Sequence, residues 1–262
     1  MDAPALQERF EFASALIEEA GALALGYFHR LDTLEIKSKG IQDVASEADV
    51  ATELLIRGRL RQRFPEDGFL GEETGRGEVE AVDAIWVVDP IDGTQPFVSG
   101  MSSWCISIAL VVDHQLELGL VTSPARGELF AGRRGERATL NGRPISVSGA
   151  TRLDQGIVAV GYSPRVRPAQ FLPLFGRLLD QGAMFYRDGS GALSLCYVAC
   201  GRLIGYVEPH INSWDCLGAM AVIEAAGGRC SDFLAAGGLW NGNHLIAGPT
   251  ALYPALEAAF TG

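Results

Sequence analysis

Hydrophobic residues near the start of the chain recur at helical spacing. The recurring positions are Leu6, Phe10, Ala13, Ile17, Ala24 and Phe28. Spacing of three to four residues, or its multiples, predicts an amphipathic first helix. Residues 33–37 then indicate a short strand, and residues 41–50 a polar turn. Ser46 is a candidate N-cap for a second helix that continues to about Phe64.

Strand patterns dominate the next segment. A turn, a short strand and an acidic loop cover residues 64–74, and residues 76–81 indicate a solvent-exposed turn. Three strands follow in quick succession, with the sequences AIWVVD, WCISIALVV and LELGLVTS. Residues 127–148 indicate hairpins, in which Asn141-Gly142 is the strongest turn signal. This half therefore mixes helices with an antiparallel meander.

After Ser148 strands and helices alternate. A buried strand, GIVAVGY, precedes a helical segment that contains Pro173, and further strand and helix patterns follow to the end of the chain. An α+β half followed by an α/β half predicts two coupled subdomains. We place them at residues 1–148 and 149–262, which together form one catalytic unit.

Composition and charge exclude several functional classes. The 262 residues are 48% hydrophobic and carry a net charge of −11, so the chain is globular and lacks the bulk basic charge of a nucleic-acid-binding protein. Five cysteines without zinc spacing indicate reduced thiols and a cytoplasmic protein. The acidic, periodic N-terminal segment does not resemble a signal peptide. No apolar run reaches the ~18 residues of a membrane span, so no membrane association is expected.

Acidic residues occur where secondary structure is expected to change. Asp89 and Asp92 end a buried strand, Glu72 follows a short strand, and Asp215 lies in the first turn of an apolar helix. Separately, these acids have structural explanations: a turn, a solvated loop and a favourable helix-dipole position. If the fold brings them together, each pair at about 4 Å costs roughly 4 kcal/mol at an effective dielectric near 20. Oxygen ligands of this kind suit Mg²⁺, which would neutralise the cluster.

The residues after Asp92 suit a phosphate. Gly93 lets backbone N–H groups approach phosphate oxygens, and the Thr94 hydroxyl is able to orient a water. With the carbonyl of Ile91, the segment DPIDGT combines metal ligands, a phosphate-binding turn and a water-positioning hydroxyl. The sequence therefore favours Mg²⁺-dependent hydrolysis of a phosphate ester.

The segments WVVDPIDGT, FLGEET and WDCLGAMAVIEAAGG resemble the three signature segments of the inositol monophosphatase family. Their order and spacing agree over essentially the whole chain, and residues 37–49 and 127–148 are similar to the family's early loop and meander. The family consists of Mg²⁺-dependent, lithium-sensitive phosphatases. The resemblance implies a layered αβαβα sandwich of the sugar-phosphatase type, commonly a homodimer.

The resemblance also implies metal ligands. Glu72, Asp89 and the Ile91 carbonyl would bind the first, activating Mg²⁺ ion. Asp89, Asp92 and Asp215 would bind the second ion, which stabilises the leaving alkoxide. A weaker third ion would lie near Glu72. This arrangement corresponds to two-metal catalysis.

Proton transfer and phosphate binding are implied for neighbouring residues. Water on the activating ion would attack in line, with Glu72 and a Thr94–Asp49 pair handling its proton. Gly93 and Thr94 would hold the phosphate. Lys37 lies where the family has a lysine close to the site, although a surface lysine explains it as well.

The leaving-group side leaves the substrate open. The resemblance places Gly191, Ala192 and Glu208 there, beside Asp92 and Asp215. A carboxylate such as Glu208 suits a polyol hydroxyl, and it equally suits a cationic amine or imidazole. The resemblance makes inositol 1-phosphate the first expectation and histidinol phosphate the alternative. Adenosine bisphosphate ranks third, because that branch of the family usually has additional segments that this sequence lacks.

Functions of other classes also remain. Some bacterial relatives act through transcription complexes, which makes a regulatory protein an alternative, and a non-catalytic Mg²⁺-binding dimer is another. A dinucleotide-dependent dehydrogenase is disfavoured, because GSGAL lacks the full glycine spacing and the acidic residue that should follow.

Overall fold

The computed structural model describes residues 1–40, 43–76 and 82–262, with the side chains of residues 37–40, 43–45 and 76 left out. The described helices are α1 Ala3–Phe28, α2 Glu47–Arg63, α3 Thr94–Val98, α4 Pro168–Asp180, α5 Gly191–Ala199, α6 Ser213–Ala225, α7 Gly238–Asn241 and α8 Tyr253–Thr261. The described strands are β1 Ile36–Gly40, β2 Asp43–Ser46, β3 Gly68–Gly71, β4 Gly75–Arg76, β5 Ala84–Asp92, β6 Cys105–Val112, β7 Gln115–Ser123, β8 Glu128–Arg133, β9 Thr139–Leu140, β10 Arg143–Pro144, β11 Ile157–Val160, β12 Met184–Tyr186, β13 Gly205–Ile211, β14 Gly228–Cys230 and β15 Asn243–Pro249.

The larger sheet has the strand order β10-β9-β8-β7-β6-β5-β3-β4. Only the β3–β5 pair is parallel among these described strands, so most of the sheet is the antiparallel meander that the sequence predicts. All of β5 is buried, and its side chains alternate between two cores. Trp86 and Val88 pack against α1 and α2, whereas Ile85 and Val87 face α5 and α6. Burial on both faces explains why this strand is apolar throughout.

The smaller sheet has the order β12-β11-β13-β15-β14, with β11, β12 and β13 parallel and the last two strands antiparallel. Helices α5 and α6 lie between the two sheets and contact both. Helices α4 and α8 cover the outer face of the smaller sheet, as α1 and α2 cover that of the larger one. The layers therefore run α, β, α, β, α, which confirms the expected sandwich.

Several local predictions need correction. The first strand starts at Ile36, because residues 31–33 form a 3₁₀ turn. Residues 43–46, expected as part of a turn, form β2, which pairs with β1 as a hairpin. Residues 41–42 and most of the turn expected at residues 76–81 lie outside the described part of the chain. The short α3, which begins directly after Gly93, is not apparent from hydrophobic periodicity.

Other predictions are confirmed. Ser46 is the N-cap of α2, Pro173 lies inside α4, and both Asn141 and Gly142 have positive φ in the turn between β9 and β10. The chain passes from the larger to the smaller sheet between Pro144 and Ile157. Across the described ranges, no helix is both long and apolar enough to cross a membrane.

Candidate active site

A bulge at the end of β5 shapes the site. Asp89 pairs with Ser107 of β6, and Asp92 pairs with Cys105, so three steps on β5 match two on β6. Pro90 lies in this irregularity, where a residue without a backbone donor is tolerated. The Asp89 Oδ1 accepts a hydrogen bond from the Ile91 N–H at 3.0 Å. The bulge thus places both acids of DPIDGT at the same edge of the sheet.

Three acids from distant parts of the chain meet at this edge. Glu72 follows β3, Asp89 ends β5 and Asp215 lies in the first turn of α6. One carboxylate oxygen from each lies within 4.8 Å of the others. Parallel pairing of β3 with β5 explains why Glu72 lies close to Asp89, because neighbouring parallel strands end at the same edge of the sheet.

Burial raises the pKa values of Asp89, Asp92 and Asp215, and neighbouring acids add to this rise for Asp89 and Asp92. Burial is the first cause for Asp89, whose pKa lies well above its usual value, followed by the charges of Glu72, Asp92 and Asp215. Burial and the Asp215 charge raise the pKa of Asp92 to about 7. The pKa of Asp215 is also raised, first by burial. A buried group of acids that favours protonation in the absence of cations is a suitable cation site.

The donors to Asp92 and the Asn212 donors to Asp215 each converge on one carboxylate oxygen. The backbone N–H and side-chain amide of Asn212 both donate to Asp215 Oδ2, at 3.3 and 3.0 Å. Asp92 receives its protein donors on Oδ2 as well: the Ser190 hydroxyl at 2.6 Å, the Ala192 N–H at 2.7 Å and the Cys105 thiol at 3.7 Å. Ligands held in this way by neighbouring groups are typical of metal sites. The residues present therefore fit Mg²⁺.

Gly93 and Thr94 form the turn beside the acids. Gly93 has φ of 91°, a left-handed conformation, and a Cβ at this position would lie 2.8 Å from the Ser103 carbonyl oxygen. Glycine is required on both counts. The Thr94 hydroxyl lies 3.1 Å from both the Ile91 carbonyl oxygen and Asp49 Oδ1. The expected Thr94–Asp49 pair is thus in hydrogen-bonding contact.

Asp49 is fully buried in the first turn of α2. Its Oδ2 accepts the Ser46 N–H at 2.8 Å and the Ser46 hydroxyl at 2.6 Å. Burial raises the pKa of Asp49, and the Ser46 hydrogen bonds oppose that rise. The remaining oxygen faces Thr94, so Asp49 is able to accept the threonine's proton in a hydrogen bond.

Glu208 lies on β13, within electrostatic range of the acids. Its carboxylate accepts a hydrogen bond from the Tyr206 hydroxyl, and burial, followed by the charges of Asp215 and Asp92, raises its pKa to about 8. A Cβ on Gly191 would lie 3.3 Å from the Tyr206 hydroxyl and 3.6 Å from the Asp215 carbonyl oxygen. The Tyr206 hydroxyl thus lies next to both Glu208 and Gly191, and the Ala192 N–H contacts Asp92. The side chain of Lys37 lies outside the described set.

Sequence reasoning missed two residues in this region, Glu53 and Ser190. Glu53 is fully buried on α2, one turn after Asp49, on the same face as Ile56 and Leu60. An acid on an apolar helix face is a signal that could have found it. Ser190 is recognisable as the N-cap of α5, but its contact with Asp92, 98 residues away, is not local information.

Substitutions of Ser190 distinguish its role as the N-cap of α5 from its hydrogen bond to Asp92. Ser190 donates to Asp92 and accepts from the Leu193 N–H at 3.2 Å. We expect Ser190→Ala to lower activity about tenfold, because a hydrogen bond to a charged group contributes ~1.5 kcal/mol or more. Loss of the cap should cost ~1 kcal/mol of unfolding free energy in Ser190→Ala but only a few tenths in Ser190→Gly. Steady-state kinetics and urea unfolding measure both effects; equal stability of the two variants would contradict the capping role.

Comparison with known protein families identifies relatives of the chain. The sequence model of the family described as "Inositol monophosphatase family" matches residues 5–260. A curated relative from Haemophilus influenzae, named "Nus factor SuhB", is 36% identical over 235 residues, which cover 88% of each chain.

Many solved structures share the fold, and two of them illustrate the similarity. The native extragenic suppressor protein suhB from Bartonella henselae superposes with a TM-score of 0.89 and 29% identity, covering 96% of this chain and 97% of that one. An inositol monophosphatase from Anabaena (Nostoc) sp. PCC 7120 gives a TM-score of 0.84 and 29% identity, covering 97% and 95% of the two chains.

Proposed function

We infer that this chain, which belongs to the inositol monophosphatase family, is a Mg²⁺-dependent phosphomonoester hydrolase. The observation that carries the proposal is the meeting of Glu72, Asp89 and Asp215 within 4.8 Å, with Asp92 beside them. Four neighbouring acids next to a glycine turn suit two or three Mg²⁺ ions and a phosphate.

Each group in the site has a task in hydrolysis. Glu72, Asp89 and the Ile91 carbonyl would hold one Mg²⁺ ion, and Asp89, Asp92 and Asp215 a second. When bound, these ions supply an acidified water and neutralise charge on the leaving oxygen. Backbone N–H groups of Gly93 and Thr94 would bind phosphate oxygens.

The chain's own side chains orient the attacking water. The Thr94 hydroxyl lies 3.1 Å from Asp49 Oδ1 and would accept a proton from the water while it donates to Asp49. Glu72 would take part in the same proton transfer. Asp49 is held by two hydrogen bonds from Ser46, so the pair has a fixed direction.

For the substrate we propose a phosphorylated polyol, first of all myo-inositol 1-phosphate. Glu208, which is buried and within electrostatic range of Asp92 and Asp215, would accept hydrogen bonds from sugar hydroxyls. Histidinol phosphate is the alternative, because the same carboxylate would pair with its amine. Sensitivity to lithium is expected for either reaction.

Phosphate release from a panel of esters tests the proposal. Inositol 1-phosphate, histidinol phosphate, adenosine 3′,5′-bisphosphate, fructose 1,6-bisphosphate and glycerol 2-phosphate are compared, each with Mg²⁺ and with EDTA. We expect Mg²⁺-dependent release that is fastest with inositol 1-phosphate. A faster reaction with histidinol phosphate would select the alternative. No release from any ester, by folded protein that binds Mg²⁺, would contradict the hydrolase.

A regulatory role is the second candidate, favoured by the name of the Haemophilus relative, a Nus factor. This role would use the protein surface and not the acidic site. Binding to purified RNA polymerase is compared for the wild type and Asp92→Asn. Equal binding of both would support a regulatory role independent of hydrolysis, and no binding of either would contradict it.

We also propose that the chain forms a homodimer in the cytoplasm. The edge strand β12 exposes Met184 and Phe185, and Leu172 and Leu179 of α4 are exposed as well. Exposed edge strands are templates for pairing with another chain. Light scattering should give the mass of a dimer, which Phe185→Glu should convert to a monomer. The matched control is Leu54→Glu, because Leu54 is an exposed apolar residue of α2. A monomeric wild type would contradict the dimer.

A further inference from the structure

We propose that Glu53 is a positioning residue of the metal site, because its carboxylate holds the backbone of the loop that carries Glu72. This inference rests on the proposed Mg²⁺-dependent function. Glu53 lies on α2 and is fully buried. A buried carboxylate is costly unless polar groups satisfy it, so its partners indicate its role.

Both oxygens of Glu53 accept hydrogen bonds from the loop. The Glu73 N–H donates to Oε2 at 2.9 Å, and the Thr74 N–H donates to Oε1 at 2.8 Å. These two donors directly follow Glu72 in the chain. Since each contact joins a charged acceptor to a backbone amide, both belong to the stronger class of hydrogen bonds. Glu53 therefore fixes the loop by its main chain and leaves the Glu72 side chain to the metal site.

The other side of Glu72 is fixed by the sheet. The Glu72 N–H donates to the Val88 carbonyl oxygen at 3.2 Å, directly before Asp89. Residues 71 and 88 are partners in the parallel pair of β3 and β5. Glu72 is thus held between β5 on one side and Glu53 on the other. This arrangement sets the distance from Glu72 to Asp89, on which a shared cation would depend.

Gly71 makes room for the Glu53 carboxylate. A Cβ on Gly71 would lie 2.4 Å from Glu53 Oε2 and 2.5 Å from its carboxyl carbon. Gly71 lies in β3, so the need for glycine here comes from the close approach of Glu53 and not from a left-handed turn. The carboxylate consequently sits directly against the strand that leads to Glu72.

Helix α2 carries two buried acids one turn apart, and each holds a different part of the site. Asp49 contacts Thr94, which would orient the water, whereas Glu53 holds the loop of Glu72. Asp49 and Glu53 are four residues apart and therefore share a helix face. One helix thus sets the position of Glu72 relative to Thr94.

The first test is Glu53→Gln. A glutamine has one acceptor oxygen, so its NH₂ group must face either the Glu73 or the Thr74 N–H, and that end of the loop is released. We expect the Kd for Mg²⁺, measured by calorimetry with MgCl₂ alone, to rise about 10-fold or more. The Mg²⁺ concentration for half-maximal activity should rise by the same factor, while kcat at saturating Mg²⁺ changes less. Glu47→Gln, an exposed acid of the same helix, should leave both unchanged.

A second variant perturbs the contact from the other side. Gly71→Ala keeps Glu53 but displaces its carboxylate, and we expect a similar rise in the Kd for Mg²⁺. In a Glu53→Ala background the added methyl group has no carboxylate to displace, so Gly71→Ala should then have little further effect. Circular dichroism establishes that each variant is folded.

The inference would be overturned if folded Glu53→Gln bound Mg²⁺ as tightly as the wild type. If Glu53→Gln does not fold, unchanged Mg²⁺ affinity in folded Gly71→Ala would overturn it instead. Additive effects of the two substitutions would overturn it as well, because they would show that the residues act separately. The calorimetric measurement needs no substrate. If the wild type binds Mg²⁺ normally but hydrolyses no ester, the proposed function is refuted. The Mg²⁺ affinities of the variants would still test the role of Glu53.

Discussion

Replacing Asp92 with asparagine is expected to lower kcat/KM roughly 1,000-fold while the protein stays folded. Loss of one charge about 4 Å from a cation corresponds to ~4 kcal/mol at an effective dielectric near 20, or about three factors of ten in rate. Asn cannot replace the aspartate, because Oδ2 of Asp92 accepts hydrogen bonds from Ser190 and Ala192. An asparagine must turn its NH₂ group either to these donors or to the cation.

The kinetic measurement is phosphate release at saturating Mg²⁺ with the best ester of the panel. Asp113→Asn is the control, because Asp113 is exposed in the turn between β6 and β7 and its positive φ suits asparagine. We expect this control to retain wild-type kinetics. An Asp92→Asn variant within tenfold of the wild type would mean that Asp92 is not a metal ligand.

Removing the metal should make stability fall as pH rises. Burial and neighbouring acids raise the pKa of Asp92 to about 7 and of Glu208 to about 8. The folded protein therefore holds these protons more tightly than the unfolded chain does, and the stabilisation is complete below about pH 4 and lost as pH rises through 7 to 8. Bound Mg²⁺ would replace the protons, so its stabilising effect should grow over the same interval.

Thermal unfolding in EDTA and in Mg²⁺ at pH 5 and pH 8 measures this effect. We expect the Tm difference between the two conditions to be small at pH 5 and roughly 10 °C at pH 8, which corresponds to several kcal/mol for a chain of this size. In EDTA at pH 8, Asp92→Asn should melt above the wild type, because one repulsive charge is gone. A Tm difference that does not depend on pH would contradict the assignment of these acids.

Local sequence patterns predict much of this fold. The apolar runs of β5, β6 and β7, the Ser46 cap and the Asn141-Gly142 turn depend on neighbouring residues, and the structure has each of them. The motifs of the family also predict which acids form a cluster, and Glu72, Asp89 and Asp215 do lie together.

Contacts between distant segments could not be predicted in this way. The Glu53 carboxylate holds a loop 20 residues later in the chain, and Ser190 holds Asp92 from the other half. Side-chain hydrogen bonds of this kind follow from packing of α2 and α5 against the larger sheet, which no periodicity encodes. The pairing of β1 with β2 was missed because polar residues in a short hairpin resemble a turn.

The two sheets contribute unequally to the site. Glu72, Asp89, Asp92 and the Gly93–Thr94 turn lie in or directly beside strands of the larger sheet, whereas Glu208 lies on β13 of the smaller sheet, where it is hydrogen-bonded to Tyr206. Asp215, on the helix between the sheets, joins the second half to the acids, and Ser190 and Ala192 contact Asp92 from the same half. If Glu208 binds the leaving alcohol as proposed, substitutions in β13 would change which alcohol leaves without replacing the residues proposed to cleave its phosphate. Such a division lets a family diversify its substrates over evolution while a single hydrolytic apparatus is inherited unchanged.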